Sequence, residues 1–464
     1  AQASEVWVDD DLSGYGDCGD GLVWGYNAFK TIQSAVTAVA VNGKVNIRSG
    51  TYAETFATNK ISKIINYVGV EDGNGGGLPT VLGSISINAP TTPDAASRIE
   101  NIHFKSDGVA ACLTLQNIDG GVTVSNCTFN GDGKFKNAID LDSGGNGNYL
   151  TVEDSVFTNG FYLAINGTAK EVTVRRTLIS GTKSGINMQS GATDLVVEDC
   201  DITVSVQSAT NSSYGVRFSS KALGAGHNLT ITGSRIAVDP NGFEINPAEH
   251  RAIWVRAGAS GTLQVANNLI DGYVANDSTG ILDASGNWWG SADAADVAGN
   301  VVAGSVDYSP WLAVGTDTDG GALGFKGDFS ALYVDDGSVQ AGTAGGIQEG
   351  IDLVATNGTV NVLAGTYNES VALDKPLTLT GPAAGDKPLL VGMITGTYTG
   401  GSATLIENID FKVNADDKYN LNFVGVTNLT VKGCAFNADG RFMTSPQVVA
   451  VQLDHTCQNI MIDG

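Results

Sequence analysis

The feature that most constrains this chain is a short segment that returns along it in altered form. It reads VTVSNCTF from Val122, LTVEDSVF from Leu150, VTVRRTLI from Val172, LVVEDCDI from Leu195, LTITGSRI from Leu229 and LQVANNLI from Leu263. Successive starts lie 28, 22, 23, 34 and 34 residues apart. Each segment opens with apolar and polar residues in alternation, the period of a strand with one buried face. A small residue then fills a shared position, Cys127, Ser155, Thr177, Cys200, Ser234 and the larger Asn268, and Phe or Ile follows two places on. Such a repeat, with polar Gly/Asn turns, predicts one rung of a parallel β-helix. Each strand then pairs with its counterpart one coil on, at a rise of roughly 4.8 Å. Leucine-rich repeats would alternate strands with helical segments, and a β-sandwich would need hairpins; neither pattern is present. The longer spacings read as coils carrying insertions, VQSATNSSYG (206–215) and DPNGFEINPAEHR (239–251), and insertions on a solenoid are its usual binding loops.

A coarser repeat lies over the fine one. VWVDD at 6–10 returns as LYVDD at 332–336, NGKVNIRSGTYAE at 42–54 as NGTVNVLAGTYNE at 357–369, and RIENIHF at 98–104 as LIENIDF at 405–411. The chain therefore divides into two tandem homologous units: residues 1–312, a Gly/Asp-rich linker 313–331, and 332–464. The second copy lacks everything equivalent to 155–312, so the natural chain is expected to continue past Gly464. Each copy should begin with a short capping helix. Phe29, Ile32, Val36 and Val39 make one apolar helical face, and Ile347, Ile351 and Val354 repeat it. Trp288, Trp289 and Trp311 follow the last coil of the first copy, where they are expected to cap it with a broad apolar lid.

Composition narrows the function. Lys plus Arg number 25 and Asp plus Glu 49, a formal charge of −24, which argues against nucleic acid and anionic membranes as partners. No apolar run reaches the roughly 18 residues of a transmembrane helix. The start AQASEVWVDDD, without Met, is that of a mature chain after signal-peptide removal, so an extracellular or cell-surface setting is expected.

The order VDDD, FKTIQSAV, NGKVNIRSGTYAE and then NWWG, VDYSPWL resembles secreted and cell-surface right-handed parallel β-helix repeat proteins of the pectate-lyase-like superfold. The resemblance implies an all-β, right-handed parallel β-helix. Phe29 to Glu54 is also similar to the first coils of pectin methylesterases. Residues 110–260 hold no match to that family's catalytic Gln, Asp and Arg segments, so no catalytic role is carried over.

Chemical motifs are sparse. Asp140 and Asp142, or Glu198, Asp199 and Asp201, could supply a carboxylate pair for glycan hydrolysis. Arg175 and Arg176 are adjacent, so they point to opposite faces or one occupies a bend; Arg217 and Arg256 sit in later coils. Four dispersed histidines and the absence of CxxC signal no zinc site. Asp9, Asp10, Asp17 and Asp20 lie among glycines in DDDLSGYGDCGDG, hard oxygen ligands on a turn-rich loop that suit Ca²⁺. Cys127 and Cys200 share one slot three coils apart, roughly 14 Å by the coil rise, so they should stay reduced.

The tandem copies and the acidic surface favour a non-enzymatic structural or adhesive surface protein. It would be built of rigid rods that associate with themselves or with other surface proteins and glycans. The alternative is a carbohydrate-active enzyme (a polysaccharide lyase or hydrolase) or a glycan binder working on one outer face. The two readings part on one point: whether outward-facing acids, arginines and aromatics cluster on one face or scatter.

Overall fold

In a computed structural model the described residues are all but 1, 13–20, 59–64, 72–76, 89–96, 119, 142–148, 190–193, 220–225, 260, 399–400, 415–416, 438–447 and 464. They form stacked coils of short parallel strands. One 13-stranded sheet runs from Ala28–Phe29 and Glu5–Val8 through Val122–Ser125, Tyr149–Glu153 and Glu171–Arg175 to Val306–Asp307. The other two faces of this first stack join through the long strands Thr51–Thr58 and Thr80–Asn88 into a 17-stranded sheet. From Trp311 onward a second stack has sheets of seven, four and four strands.

Register follows the sequence repeat. Val122 pairs with Leu150, Leu150 with Val172, Val172 with Leu195, Leu195 with Leu229, and Leu229 with Leu263. The alternating apolar residues point inward and are buried. Phe104, Phe129 and Phe157 stack with ring centroids 4.8 and 4.6 Å apart, so the coil rise itself sets the aromatic spacing.

Each coil turns one residue before the shared small position. Asn126, Asp154, Arg176, Asp199 and Asn267 occupy this corner with φ between 46° and 57°, a left-handed conformation that Asn and Asp tolerate and Arg seldom adopts. Arg176 is therefore the bend and Arg175 the outward strand residue; both pair with Glu153, and Arg176 with Asp154, one coil earlier.

The small residue itself links coils. Ser155 Oγ accepts the Cys127 N–H, Ser234 Oγ the Cys200 N–H, Asn268 Oδ1 the Ser234 N–H, and Asn287 Oδ1 the Asn268 N–H, at 2.8–3.1 Å. Backbone donors that corner geometry would leave unpaired in the core are thus satisfied from the next coil. Cys127 and Cys200 are free and buried, and burial pushes both thiols, with Cys112, up to about 12. These three cysteines should resist an aromatic disulfide reagent in the native chain and react once it is denatured. Cys127→Ser should cost under about 1.5 kcal/mol in a urea melt, since serine fills the same slot in neighbouring coils.

Helix α1 (Ile32–Ala38) closes the first stack with Ile32 and Val36 buried, and α3 (Gly346–Leu353) sits at the head of the second with Ile347 and Ile351 buried. The repeated GTYxE segment anchors both. Glu54 accepts the N–H groups of Ile32 and Gln33, and Glu369 those of Ile347 and Gln348. Tyr52 donates to the carbonyls of Val8 and Arg48, and Tyr367 to those of Val334 and Leu363. Gly50 and Gly365 are required because a Cβ there would lie 2.3 Å from the carboxyl atoms of Asp10 and Asp336. Glu54→Ala orphans two helix N–H groups and should destabilise by about 1–2 kcal/mol, read as a lower melting temperature.

The tryptophans differ in part from the expected lid. Trp289 and Trp311 are buried, but the Trp311 ring also stacks on Tyr333 of the second stack at 5.7 Å. Trp288 is half-buried against the second core. The end of the first stack abuts the next one rather than solvent, so these indoles join two cores. A third helix, α2 (Ala294–Asn300), lies within this segment. The linker is docked rather than free: Asp317 pairs with Arg235, Gly324 N donates to Asp201 Oδ1 at 3.2 Å, and buried Phe325 donates its N–H to the Gly233 carbonyl at 2.7 Å.

Candidate functional site

The expected acidic sites do not assemble into a catalytic pair among the described residues. Asp9, Asp10 and Asp11 bring carboxylate oxygens within 4.8 Å of one another. Asp9 also pairs with Arg48, and Asp10 accepts the Thr51 N–H. Asp17 and Asp20 lie outside the described residues, as does Asp142. Glu198 is on a strand, Asp199 is the corner, and Asp201 holds the docked linker and Arg235. Burial raises the Asp201 carboxyl above its ordinary range. The cleft beneath the linker, about 630 Å³, is lined by Arg176 and Asp317, which already pair with Asp154 and Arg235.

A different cluster stands on one outer face of the first stack. Its strands are Ile139–Leu141, Leu163–Gly167, Ser184–Met188, Ser213–Phe218, His250–Val255 and Val274–Asn276. One outward column runs Asp140, Asn166, Asn187, Arg217, Trp254 and Ala275, each in register with the next. Along its first half the side chains bond to one another: Asn166 Nδ2 donates to Asp140 Oδ1 and Asn187 Nδ2 to Asn166 Oδ1, both at 2.7 Å. This amide ladder fixes the rotamers of a polar floor.

The second half is basic and aromatic. The guanidinium carbons of Arg251, Arg256 and Arg217 lie 4.0, 4.5 and 5.0 Å from the Trp254 ring centroid. Tyr214 meets the indole edge-on at 6.3 Å and carries Arg217 at 5.3 Å. Lys183 Nζ sits 4.0 Å from the Tyr162 ring in the preceding coil. The indole is oriented by its Nε1–H, which donates to Asp277 Oδ2 at 2.8 Å. Arginines pack on an indole through its negative ring face.

What these cations lack is a salt bridge. None of the ion pairs among the described residues involves Lys183, Arg217, Arg251 or Arg256. Arg217 Nε and Arg251 Nη1 are buried donors without a hydrogen-bond partner. Arg251 is only 9% exposed, and burial pulls its pKa below the ordinary arginine range, against the opposing pull of the Asp277 and Glu249 carboxylates. Burial raises that of Tyr214, so its hydroxyl stays protonated. Orphaned guanidinium N–H groups are costly, and a bound carboxylate or sulfate would satisfy them.

The two insertions position this cluster. His250 Nε2 meets the Ser208 carbonyl and its Nδ1 meets the Asn246 N–H, both at 3.0 Å, tying loop 206–215 to loop 239–251. Arg251 Nε donates to the Pro247 carbonyl at 3.0 Å. Sequence reasoning named the loops, Arg217 and Arg256, and missed Trp254, Tyr214, Arg251, Tyr162 and Lys183. The signal was available: SYGVRF and HRAIWV each follow an insertion directly and align Arg217 with Trp254.

The outward arginines and aromatics therefore cluster instead of scattering. The expectation of a non-enzymatic structural or adhesive rod is corrected on this ground. A solved structure similar to this chain is an arginine-to-alanine mutant of the PL6 family alginate lyase AlyGC, at 10% identity and a TM-score of 0.14, covering 94% of this chain and 80% of that one. A likeness of that size carries no argument about mechanism. No curated protein matches. No helix among the described residues is long and apolar enough to cross a membrane. Residues 107–302, which hold the whole basic–aromatic face, match the family described as right handed beta helix region. The chain folds as an all-β parallel β-helix, and the matched residues are similar to right-handed β-helix proteins.

Proposed function

We propose that this chain is a carbohydrate-active protein that holds an anionic glycan along the outer face centred on Trp254. One observation carries the reading: three arginines surround an outward indole, none of them in a salt bridge and two with a buried N–H left without an acceptor, in a chain of net charge −24. A sugar ring has an apolar face that stacks on an indole, and a uronate or sulfate group supplies the acceptors that Arg217 and Arg251 lack. The amide floor of Asn166, Asn187 and Gln189 offers further donors and acceptors to sugar hydroxyls. Gln189 Nε2 reaches Asn166 Oδ1 at 3.1 Å.

Elimination suits this face better than hydrolysis. Hydrolysis needs two carboxyls roughly 5–9.5 Å apart. Asp140 and Asp277 stand near opposite ends of the face, five coils apart, roughly 24 Å by the coil rise. In elimination, arginines neutralise the uronate carboxylate, and a base such as the Asp277 carboxylate at the indole edge takes the C5 proton. The C4–C5 double bond forms as the C4–O bond breaks, and a protonated tyrosine such as Tyr214 gives its proton to the leaving oxygen. A polymeric glycan is met outside the cell, so the reading carries an extracellular setting with it. We also infer two units, 1–312 and 332–464, with 313–331 as a docked connector.

The test is affinity electrophoresis of the chain in polygalacturonate, alginate, a sulfated glycan and neutral dextran, with ultraviolet absorbance followed for a new C4–C5 double bond. Retention by an anionic polymer and not by dextran, weakening with added salt, is expected. No retention by any anionic polymer at low salt would overturn the proposal.

A further inference from the structure

The junction between the stacks holds a second group of side chains with no counter-charge. Asp283 and Asp307 lie on the last two strands of the first stack's long sheet, and Glu349 projects from α3 of the second. Their carboxylate oxygens all lie within 4.8 Å of one another. Asp307 is fully buried. It accepts from Ser338 Oγ at 3.0 Å, Gln340 Nε2 at 3.3 Å and the Ala341 N–H at 2.6 Å, all from the second stack. Asp283 accepts from Ser285 N and Oγ on its own side. Glu349 Oε2 is buried with no partner.

The charged groups that face Glu349 are Asp307 and Asp283 across the junction and Asp352 on its own helix, all acidic. Asp307 faces Asp283 and Glu349 and otherwise neutral donors from Ser338, Ser309, Gln340 and Ala341. Glu369, between the strands Thr366–Tyr367 and Val371–Leu373, spends both oxygens on the helix N–H groups. No lysine or arginine among the described residues pairs with any of the three carboxylates.

We propose that this junction is a proton-operated clasp: α3 seats on the end of the first stack while the Asp283–Asp307–Glu349 group holds a proton, and loosens when all three carboxylates ionise. A proton shared within the group gives Glu349 a hydrogen bond in place of a repulsion, as for any close carboxylate pair. Burial pushes Glu349 up to about 8 and Asp307 up to about 6. Both groups therefore bind protons more tightly when docked than when apart. Docking is strongest below the ordinary carboxylate range and is lost as pH rises through about 6 and then about 8. The contacts that do not titrate, the Trp311–Tyr333 stack and the antiparallel pairing of Trp311 and Leu312 with Tyr333 and Leu332, act as the hinge.

The experiment is small-angle X-ray scattering of the full chain from acid to alkaline pH, with chelator throughout. The wild type is expected to lengthen as pH rises, its docked-to-open ratio falling by up to about tenfold per pH unit while one proton is released. Glu349→Gln should stay compact across the range. Should that variant fold poorly, Asp283→Asn should shift the lengthening to higher pH. A wild type of constant dimensions, or variants that lengthen as the wild type does, would overturn the clasp.

Discussion

Trp254→Ala is expected to weaken retention on an anionic glycan by roughly 30-fold, about 2 kcal/mol, the loss seen for a central aromatic anchor. The indole is the platform on which Arg217, Arg251 and Arg256 rest. Its removal takes away the stacking surface and also frees three guanidinium groups from a fixed geometry. Arg251→Lys should lose nearly as much as Arg251→Ala. An ammonium is a point charge, whereas this site presents a planar fork held by the Pro247 carbonyl and the indole face. Trp254→Ala should melt close to the wild type, because Trp254 points outward from a strand whose inward residues, Ile253 and Val255, remain. Retention unchanged in Trp254→Ala, with melting also unchanged, would remove the face from the binding site.

The second large effect falls on stability. Asn268→Ala should cost about 3–5 kcal/mol, because each buried group that loses its partner costs about 1–3 kcal/mol. The Asn268 amide lies in the core and touches four partners. Its Oδ1 accepts the Ser234 N–H at 2.9 Å, and its Nδ2 donates to the Ile231 and Ala266 carbonyls, both at 2.9 Å, and to Asn287 Oδ1 at 3.1 Å. Asn268→Ser should recover part of the loss, since serine serves this position in two earlier coils. Urea melts of the three proteins measure the difference.

Much of this architecture was legible in the residues, for a physical reason. A solenoid buries the same positions in every coil, so its rules are written repeatedly, and the pairing of Val122 with Leu150 and of Leu195 with Leu229 follows from aligning the segments. The GTYxE anchor was visible as a repeat, although its purpose was not, because a glutamate that caps a helix 22 residues earlier leaves no local pattern. The binding face was harder. Its residues occur once each, on neighbouring coils, and only the register that sets Arg217 beside Trp254 reveals them. The expected cap failed in part for a similar reason. Trp288 and Trp311 were read from the end of one repeat, whereas their packing depends on where the next stack lies. The acidic composition misled as well: a bulk charge of −24 says nothing about four cations gathered on one face.

The side-chain links between coils have a direction. Cys127, Cys200, Ser234 and Asn268 each have their backbone N–H satisfied by the residue in the same slot of the following coil, never the preceding one, and the series ends at Asn287. The rod therefore has a polarity unrelated to its strands. As the chain emerges from the ribosome, each of these four coils exposes a donor that only later sequence can answer. A coil inserted directly after one of them keeps that buried N–H paired only if it carries an acceptor side chain in the same slot.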